Sequence, residues 1–241
     1  DGIRIARTGT LVFNHTEAAY AFRTTMASLG EGDGLMEHRA GTTILDADLA
    51  NFTGQTRVIG GMLVVNSTLG SDVTVEHGGT LAGSGTILGD LVALDGSAVL
   101  PGNSPGMLTV DGDFTVSPGG MLTMEINGDN AGTQHDVMNV GGNLTLTGSE
   151  LYLIFGGNFA PSAGQQFNLF KVGGSFSQPF NIVVDGLLAG WEFNTAFDAG
   201  TGVFALRSLN DGIAQAPVPL PAGGWLMAGG LAMLARQMRA S

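Results

Sequence analysis

Between Phe52 and Val116 short runs of alternating apolar and polar positions recur, each closed by a glycine-containing turn. The clearest are Met62-Leu63-Val64-Val65, Val73-Thr74-Val75, Gly79-Thr80-Leu81, Thr86-Ile87-Leu88, Leu91-Val92-Ala93-Leu94 and Ala98-Val99-Leu100. Alternation of this kind predicts strands with one face inward. Their shortness and regular spacing predict coils of a solenoid rather than the longer strands of a sandwich, whose turn signals come roughly every 8 to 12 residues. In a parallel β-helix each coil of roughly 20 residues carries about three strands, and inward side chains stack on those of neighbouring coils. The pattern places Leu63, Val73, Leu81, Ile87 and Val99 in the core. Gly60-Gly61, Gly78-Gly79, Gly141-Gly142 and Gly156-Gly157 fall where the tight corners belong.

The expected fold class is all-β: a right-handed parallel β-helix with an irregular β cap and a short C-terminal hydrophobic helix. The repeats are assigned to 1–150 and are strongest over 41–146. Upstream, Gly9-Thr10-Leu11-Val12-Phe13-Asn14 and Ala40-Gly41-Thr42-Thr43 read as a looser repeat, with 17–39 as an insertion. After Leu151 the pattern breaks and aromatics accumulate, as in Gln165-Gln166-Phe167-Asn168-Leu169-Phe170. Residues 151–209 are therefore assigned to a cap, because an open solenoid end recruits other chains.

The last segment follows a different rule. Val218-Pro219-Leu220-Pro221-Ala222 leads into an uncharged run ending at Ala235, followed by Arg236 and Arg239. As a helix the 14 residues 222–235 span about 21 Å, short of a hydrocarbon core of roughly 30 Å. Adding 218–221 brings the run to 18 residues, marginally sufficient to cross. The two arginines are then expected on the cytoplasmic side and the rest of the chain outside. The division is thus a linker with a sorting motif at 210–221 and an anchor helix with a basic tail at 222–241.

Composition agrees with a repetitive β structure: 40 glycines, no cysteine and 12% charged residues. A disulfide scaffold and thiolate metal sites are excluded. The formal charge of −12, with a single lysine, Lys171, argues against nucleic acid as a partner. The chain begins at Asp1 without a methionine or an apolar leader, which reads as the C-terminal part of a longer exported precursor.

Candidate chemistry is sparse. His15, His38, His77 and His135 show no paired spacing, and His135-Asp136 would face opposite sides of a strand. Asp46 with Asp48, and Asp111 with Asp113, are i, i+2 pairs that would share a face if extended, the arrangement a glycosidase uses for acid and base. Asp111-Gly112-Asp113 also suits a turn, where aspartate bonds to nearby backbone, and hard oxygen ligands suit weak calcium binding. Gly102-Asn103-Ser104-Pro105-Gly106 has the letters of a nucleophile elbow, but no helical pattern follows, so it reads as a wide turn. No catalytic, cofactor or metal residue is assigned.

Two resemblances bear on function. Phe52-Thr53-Gly54-Gln55-Thr56, Gly60 to Asn66, Leu69-Gly70-Ser71, Gly79 to Ile87 and Leu100 to Gly106 resemble the passenger-associated β-helix repeat of autotransporter proteins. No membrane-barrel strands of about 10 residues follow the repeats, so the resemblance covers the passenger and not the secretion device. The tail, with its motif, apolar run and arginines in order, resembles the VPLPA variant of the PEP-CTERM sorting signals of Gram-negative bacteria. That likeness implies an exosortase-type enzyme and, transiently, the inner membrane as partners. Together they imply an exported structural or adhesin-like protein of the cell surface or extracellular matrix, with surface polysaccharide or matrix as a further partner. Two other roles stay open: a polysaccharide-acting enzyme whose active coils lie further N-terminal, and a passive stalk.

Overall fold

A computed structural model of the chain describes residues 2–212. Every regular element among them is a strand. The strands form three sheets that run the length of a single solenoid, because each strand pairs with the corresponding strand of the next coil. The first sheet has eight strands: Thr10–Asn14, Leu35–Ala40, Gln55–Val58, Asp72–Val75, Leu91–Ala93, Phe114–Val116, Leu144–Thr145 and Phe176–Ser177. The second also has eight: Tyr20–Phe22, Thr42–Leu45, Gly61–Val65, Gly79–Gly83, Ala98–Pro101, Met121–Ile126, Glu150–Phe155 and Asn181–Asp185. All pairings in these two sheets are parallel.

The third sheet has seven strands and changes character at its end. Thr68–Leu69, Thr86–Ile87, Met107–Val110, Val137–Val140 and Gln166–Val172 pair in parallel. Val203–Ser208 and Phe193–Asp198 then add antiparallel. A two-stranded parallel sheet, Ile3–Ile5 with Met26–Ser28, completes the N-terminal coils. Face-to-face antiparallel sheets, the architecture of a sandwich, do not occur among the described residues.

Register places like residues on like. On the first sheet the inward column reads Leu11, Met36, Thr56, Val73, Leu91, Phe114, Leu144, Phe176. On the second it reads Leu63, Leu81, Val99, Leu122, Leu151, and on the third Leu69, Ile87, Val110, Val140, Val172. Leu63, Val73, Leu81, Ile87 and Val99 are all buried, as their alternation predicts. Thr56 is a polar member of an apolar column, and it is satisfied there by the Ser71 hydroxyl at 2.6 Å. Corners are made in more than one way. Gly61 turns with φ of 66°, a left-handed conformation that side chains resist, whereas at Gly141 a Cβ would strike the Asp111 carbonyl of the preceding coil.

Two boundaries differ from those read in the sequence. Residues 17–39 are not an insertion but coils of the solenoid, contributing Tyr20–Phe22, Met26–Ser28 and Leu35–Ala40 to the sheets. Their polar letters conceal inward Phe22, Met26, Met36 and His38, all buried. Likewise the parallel ladder runs past residue 150 to Asp185, since Phe155, Phe167 and Phe170 fill the lumen of the last coils rather than close it. Closure comes from the hairpin 193–208. Phe204 stacks on Phe170 at 5.1 Å and meets Phe176 at 5.3 Å, while Phe197 contacts Phe176 at 5.0 Å. Such aromatic pairs add about 0.5–1.5 kcal/mol each beyond their buried area.

Candidate binding surfaces

The three outer faces differ in chemistry because each repeats one outward register. On the third sheet Thr68, Thr86, Thr109, Asn139 and Lys171 form a polar column. The first sheet carries an ion-pair chain across three coils: Arg57 reaches Glu76 at 2.6 Å and Glu37 at 3.6 Å, and Arg39 also pairs with Glu37. Glu37 is buried, so the two arginines pair a carboxylate that would otherwise lack a charge partner. Over its middle coils the second sheet is largely apolar outside. Ile44, Val64, Ala82 and Leu100 stack in one column, and Thr42, Met62, Thr80, Ala98 and Met121 in the next.

One corner is organised by carboxylates from successive coils, of which the sequence singles out only Asp113, paired there with Asp111. Asp72 accepts the Asp90 N–H at 2.9 Å, Asp90 accepts the Asp113 N–H at 2.8 Å, and Asp113 accepts the Asn143 N–H at 2.7 Å. Asn143 Oδ1 then accepts from the backbone and hydroxyl of Ser175. Each side chain thereby satisfies the backbone of the next coil where the strand ladder lapses. The Asn143 bonds, first to its backbone N–H and then to its side-chain amide, hold the Asp113 carboxyl below the usual range. Its share of stability is therefore present above the ordinary aspartate pKa and is lost as pH falls through the lowered one. We expect Asp113→Ala to speed hydrogen exchange at the Asn143 amide while leaving the Asp90 amide protected. Equal acceleration at both would show that the ladder is not built of separate rungs.

The other sequence candidates do not converge. Asp46 pairs with Arg23 at 3.5 Å, and Asp48 accepts the Ala50 N–H at 3.0 Å, so each has a separate structural partner. Asp111 does not join the corner ladder described above. Among the described residues no group of three or more His, Asp or Glu side chains is arranged to hold a metal ion. Val218, Pro219, Leu220, Pro221 and Ala222, with Arg236 and Arg239 and the expected C-terminal helix, lie outside the described residues. No helix among the described residues is long and apolar enough to cross a membrane.

Stacking also brings together groups far apart in sequence. His15 and His38 lie on neighbouring coils with ring centroids 6.1 Å apart. His38 Nδ1 faces the Gly60 carbonyl at 2.8 Å, and its buried Nε2 has no hydrogen-bond partner. Burial holds this imidazole below its usual range, outweighing the Gly60 bond, with the His15 charge acting in the same direction as burial.

The most perturbed carboxyl is Asp136, which is 2% exposed. Its two oxygens accept the Gly106 N–H and the Glu125 N–H, each at 2.7 Å. Burial nevertheless pushes its pKa up to about 6, with the nearby Glu125 charge adding to the effect and the two N–H bonds opposing it. Adjacent His135 packs edge-on against Phe167 at 5.5 Å; both residues are buried and precede the strand Val137–Val140, so strand alternation does not set their directions. No local signal marks Asp136, because its partners come from other turns of the chain.

Asp136 anchors a loop, 102–106, that returns over the second sheet. Gly102 and Gly83 exchange backbone hydrogen bonds at 2.8 and 3.2 Å, Asn103 donates to Asn66 at 3.0 Å, and Ser104 donates to Glu125 at 3.1 Å. A strand, Met107–Val110, follows this loop, so the Gly-x-Ser-x-Gly letters form a turn and not an elbow before a helix. Between loop and sheet lies a groove of about 240 Å³. Met62, Val64, Ala82, Leu100 and Ile154 give it an aliphatic floor, and Glu125 and Asp136 stand among its lining.

No family model matches the chain. Among curated proteins, it is 30% identical over 165 residues, 65% of its length, to the adhesin BmaC autotransporter of Brucella suis biovar 1 (strain 1330). The chain is similar to part of an autotransporter adhesin. It spans only 5% of that protein's length.

Proposed function

We propose that this chain is part of an exported structural or adhesin-like protein of the cell surface or extracellular matrix, with no enzymatic role. The observation that carries the reading is the sequence similarity to a segment of an autotransporter adhesin, in a chain that folds as a parallel solenoid. A stack of like coils offers a long, stiff surface on which recognition groups repeat, and that suits attachment. The coil is right-handed on this reading, as parallel crossovers are in about 98% of cases. Surface polysaccharide or matrix is the proposed contact. An exosortase-type enzyme and the inner membrane are the proposed partners of the tail.

Support for the tail comes from its sequence: motif, apolar run and arginines occur in the order that a removable anchor requires. A fusion of 210–241 to a periplasmic reporter should be membrane-bound without the sorting enzyme, and released or surface-bound with it. Pro219→Ala with Pro221→Ala should block processing and leave anchoring intact. Leu226→Asp with Leu231→Asp should abolish anchoring, at roughly 2.5–3.5 kcal/mol per central charge. Soluble reporter carrying an intact tail in a host lacking the enzyme would refute the anchor. For the solenoid, the purified chain should show no hydrolase or lyase turnover of acidic polysaccharides. An activity removed by Asp111→Asn with Asp113→Asn in a folded protein would overturn the non-enzymatic reading.

A further inference from the structure

Val64 and Ala82 project outward from the second sheet yet are only 9% and 8% exposed. Two influences combine there: the 102–106 loop stands over the sheet, and neighbouring outward side chains are themselves apolar. The resulting groove has a composition that no single simple occupant satisfies. Its floor is Met62, Val64, Ala82, Leu100 and Ile154, while the carboxylates of Glu125 and Asp136 also line it. Neither carboxylate is in an ion pair among the described residues, where the arginine pairs all belong to Glu37, Asp46 and Glu76.

Consider what fits. A wholly apolar occupant would remove Glu125 from water without giving it a partner, which is costly for a charged group. A bare metal ion would leave the aliphatic floor uncovered. A side chain with an apolar stem and a cationic end meets both demands. Arginine and lysine differ here. Asp136 already accepts a backbone N–H on each oxygen, and Glu125 Oε1 accepts the Ser104 hydroxyl, so neither offers a carboxylate with both oxygens free for a guanidinium fork. An ammonium needs no such pair, because it donates as a compact point charge. The formal charge of −12 further favours approach of a cationic partner.

The geometry points to a lysine-binding groove: the face bounded by 102–106 takes a lysine side chain of a partner polypeptide, its stem on Val64, Ala82 and Leu100 and its ammonium on Glu125. Lys171, the single lysine of the sequence, sits on the third sheet and so is not the occupant. The assignment stands on the groove alone and holds whatever surface the whole protein decorates.

The test uses the full chain with methyl-labelled Met and Ile and three blocked pentapeptides, Ser-X-Ser-X-Ser, with X as lysine, norleucine or arginine. The lysine peptide should shift the Met62 and Ile154 methyls and bind at least about tenfold tighter than the norleucine peptide, with the arginine peptide between them. Glu125→Gln should weaken lysine binding about tenfold and leave norleucine binding unchanged. Glu31→Gln, which removes the same charge from an exposed turn, should change neither. Because Glu125 contacts Asp136 through its backbone, the Gln variant keeps that bond, and unchanged resonances of the buried Ile87 and Met138 methyls will show it folded. Ala82→Trp, filling the groove from its floor, should remove lysine binding altogether. Equal binding of norleucine, shifts confined to other faces, no binding at millimolar peptide, or equal losses in Glu31→Gln and Glu125→Gln would each overturn the assignment. Shifts of the same methyls by a neutral oligosaccharide, with none from lysine peptide, would assign the groove to a glycan instead.

Discussion

Phe114→Ala is expected to lower stability by about 3–5 kcal/mol, the cost of a large buried aromatic truncated in a core that cannot close around the gap. Phe114 is fully buried and sits between Leu91 and Leu144 in the first inward column. Collapse is prevented by the coils themselves, since hydrogen bonding holds neighbouring strands about 4.8 Å apart. The void must therefore persist, and the lost contacts are not recovered. Phe176→Ala, at the partly buried end of the same column, should cost clearly less. Urea unfolding followed by tryptophan fluorescence measures both. Hydrogen exchange should locate the first opening of Phe114→Ala in the strands 91–93, 114–116 and 144–145, because coils contact only their neighbours. A loss below about 1 kcal/mol for Phe114→Ala would show that the stack relaxes along its axis.

Asp136 should titrate near pH 6 and make the fold less stable as pH rises from about 4 to 6. The folded chain holds this proton more tightly than the unfolded one, so stability is fully present below the unfolded pKa and declines until the folded pKa is passed. A rise from 3.8 to about 6 corresponds to about 3 kcal/mol of pH-dependent stability. His38 and His135 act in the opposite sense. Burial lowers both imidazoles, so their contribution rises with pH toward the ordinary histidine pKa. The Asp136 component is isolated by comparing the wild-type chain with Asp136→Asn. Asparagine stands in for the protonated carboxyl and does not titrate, so the wild-type chain should lose about 2 kcal/mol relative to the variant between pH 4 and pH 7. Carbon NMR of the side-chain carboxyl gives the midpoint directly, and a midpoint below 5 would refute burial as the dominant influence.

Alternation and glycine spacing carried much of the fold. Leu63, Val73, Leu81, Ile87 and Val99 point inward because a strand has a period of two, a property local enough to read from a few residues. Breaks in that period misled. Residues 17–39 carry Glu37 and His38 within a strand, and these polar letters are accommodated by Arg39, Arg57 and the Gly60 carbonyl, two of which belong to the next coil. The cap begins later than the aromatic residues suggest, because these mark both a wide lumen and its closure, and only pairing distinguishes Phe155 from Phe204.

What the sequence determined by itself is the class of structure: parallel coils, an apolar lumen, glycine at corners and an acidic surface. What only the tertiary structure decided is which residues meet across coils. Asp72, Asp90 and Asp113 form one ladder, His15 meets His38, and Asp136 ties Gly106 to Glu125, with no spacing rule to announce any of them. The reason is physical. Inward alternation is set within a strand, whereas register between coils depends on turns of unequal length, and a shift of one residue would send every one of these groups to a different face.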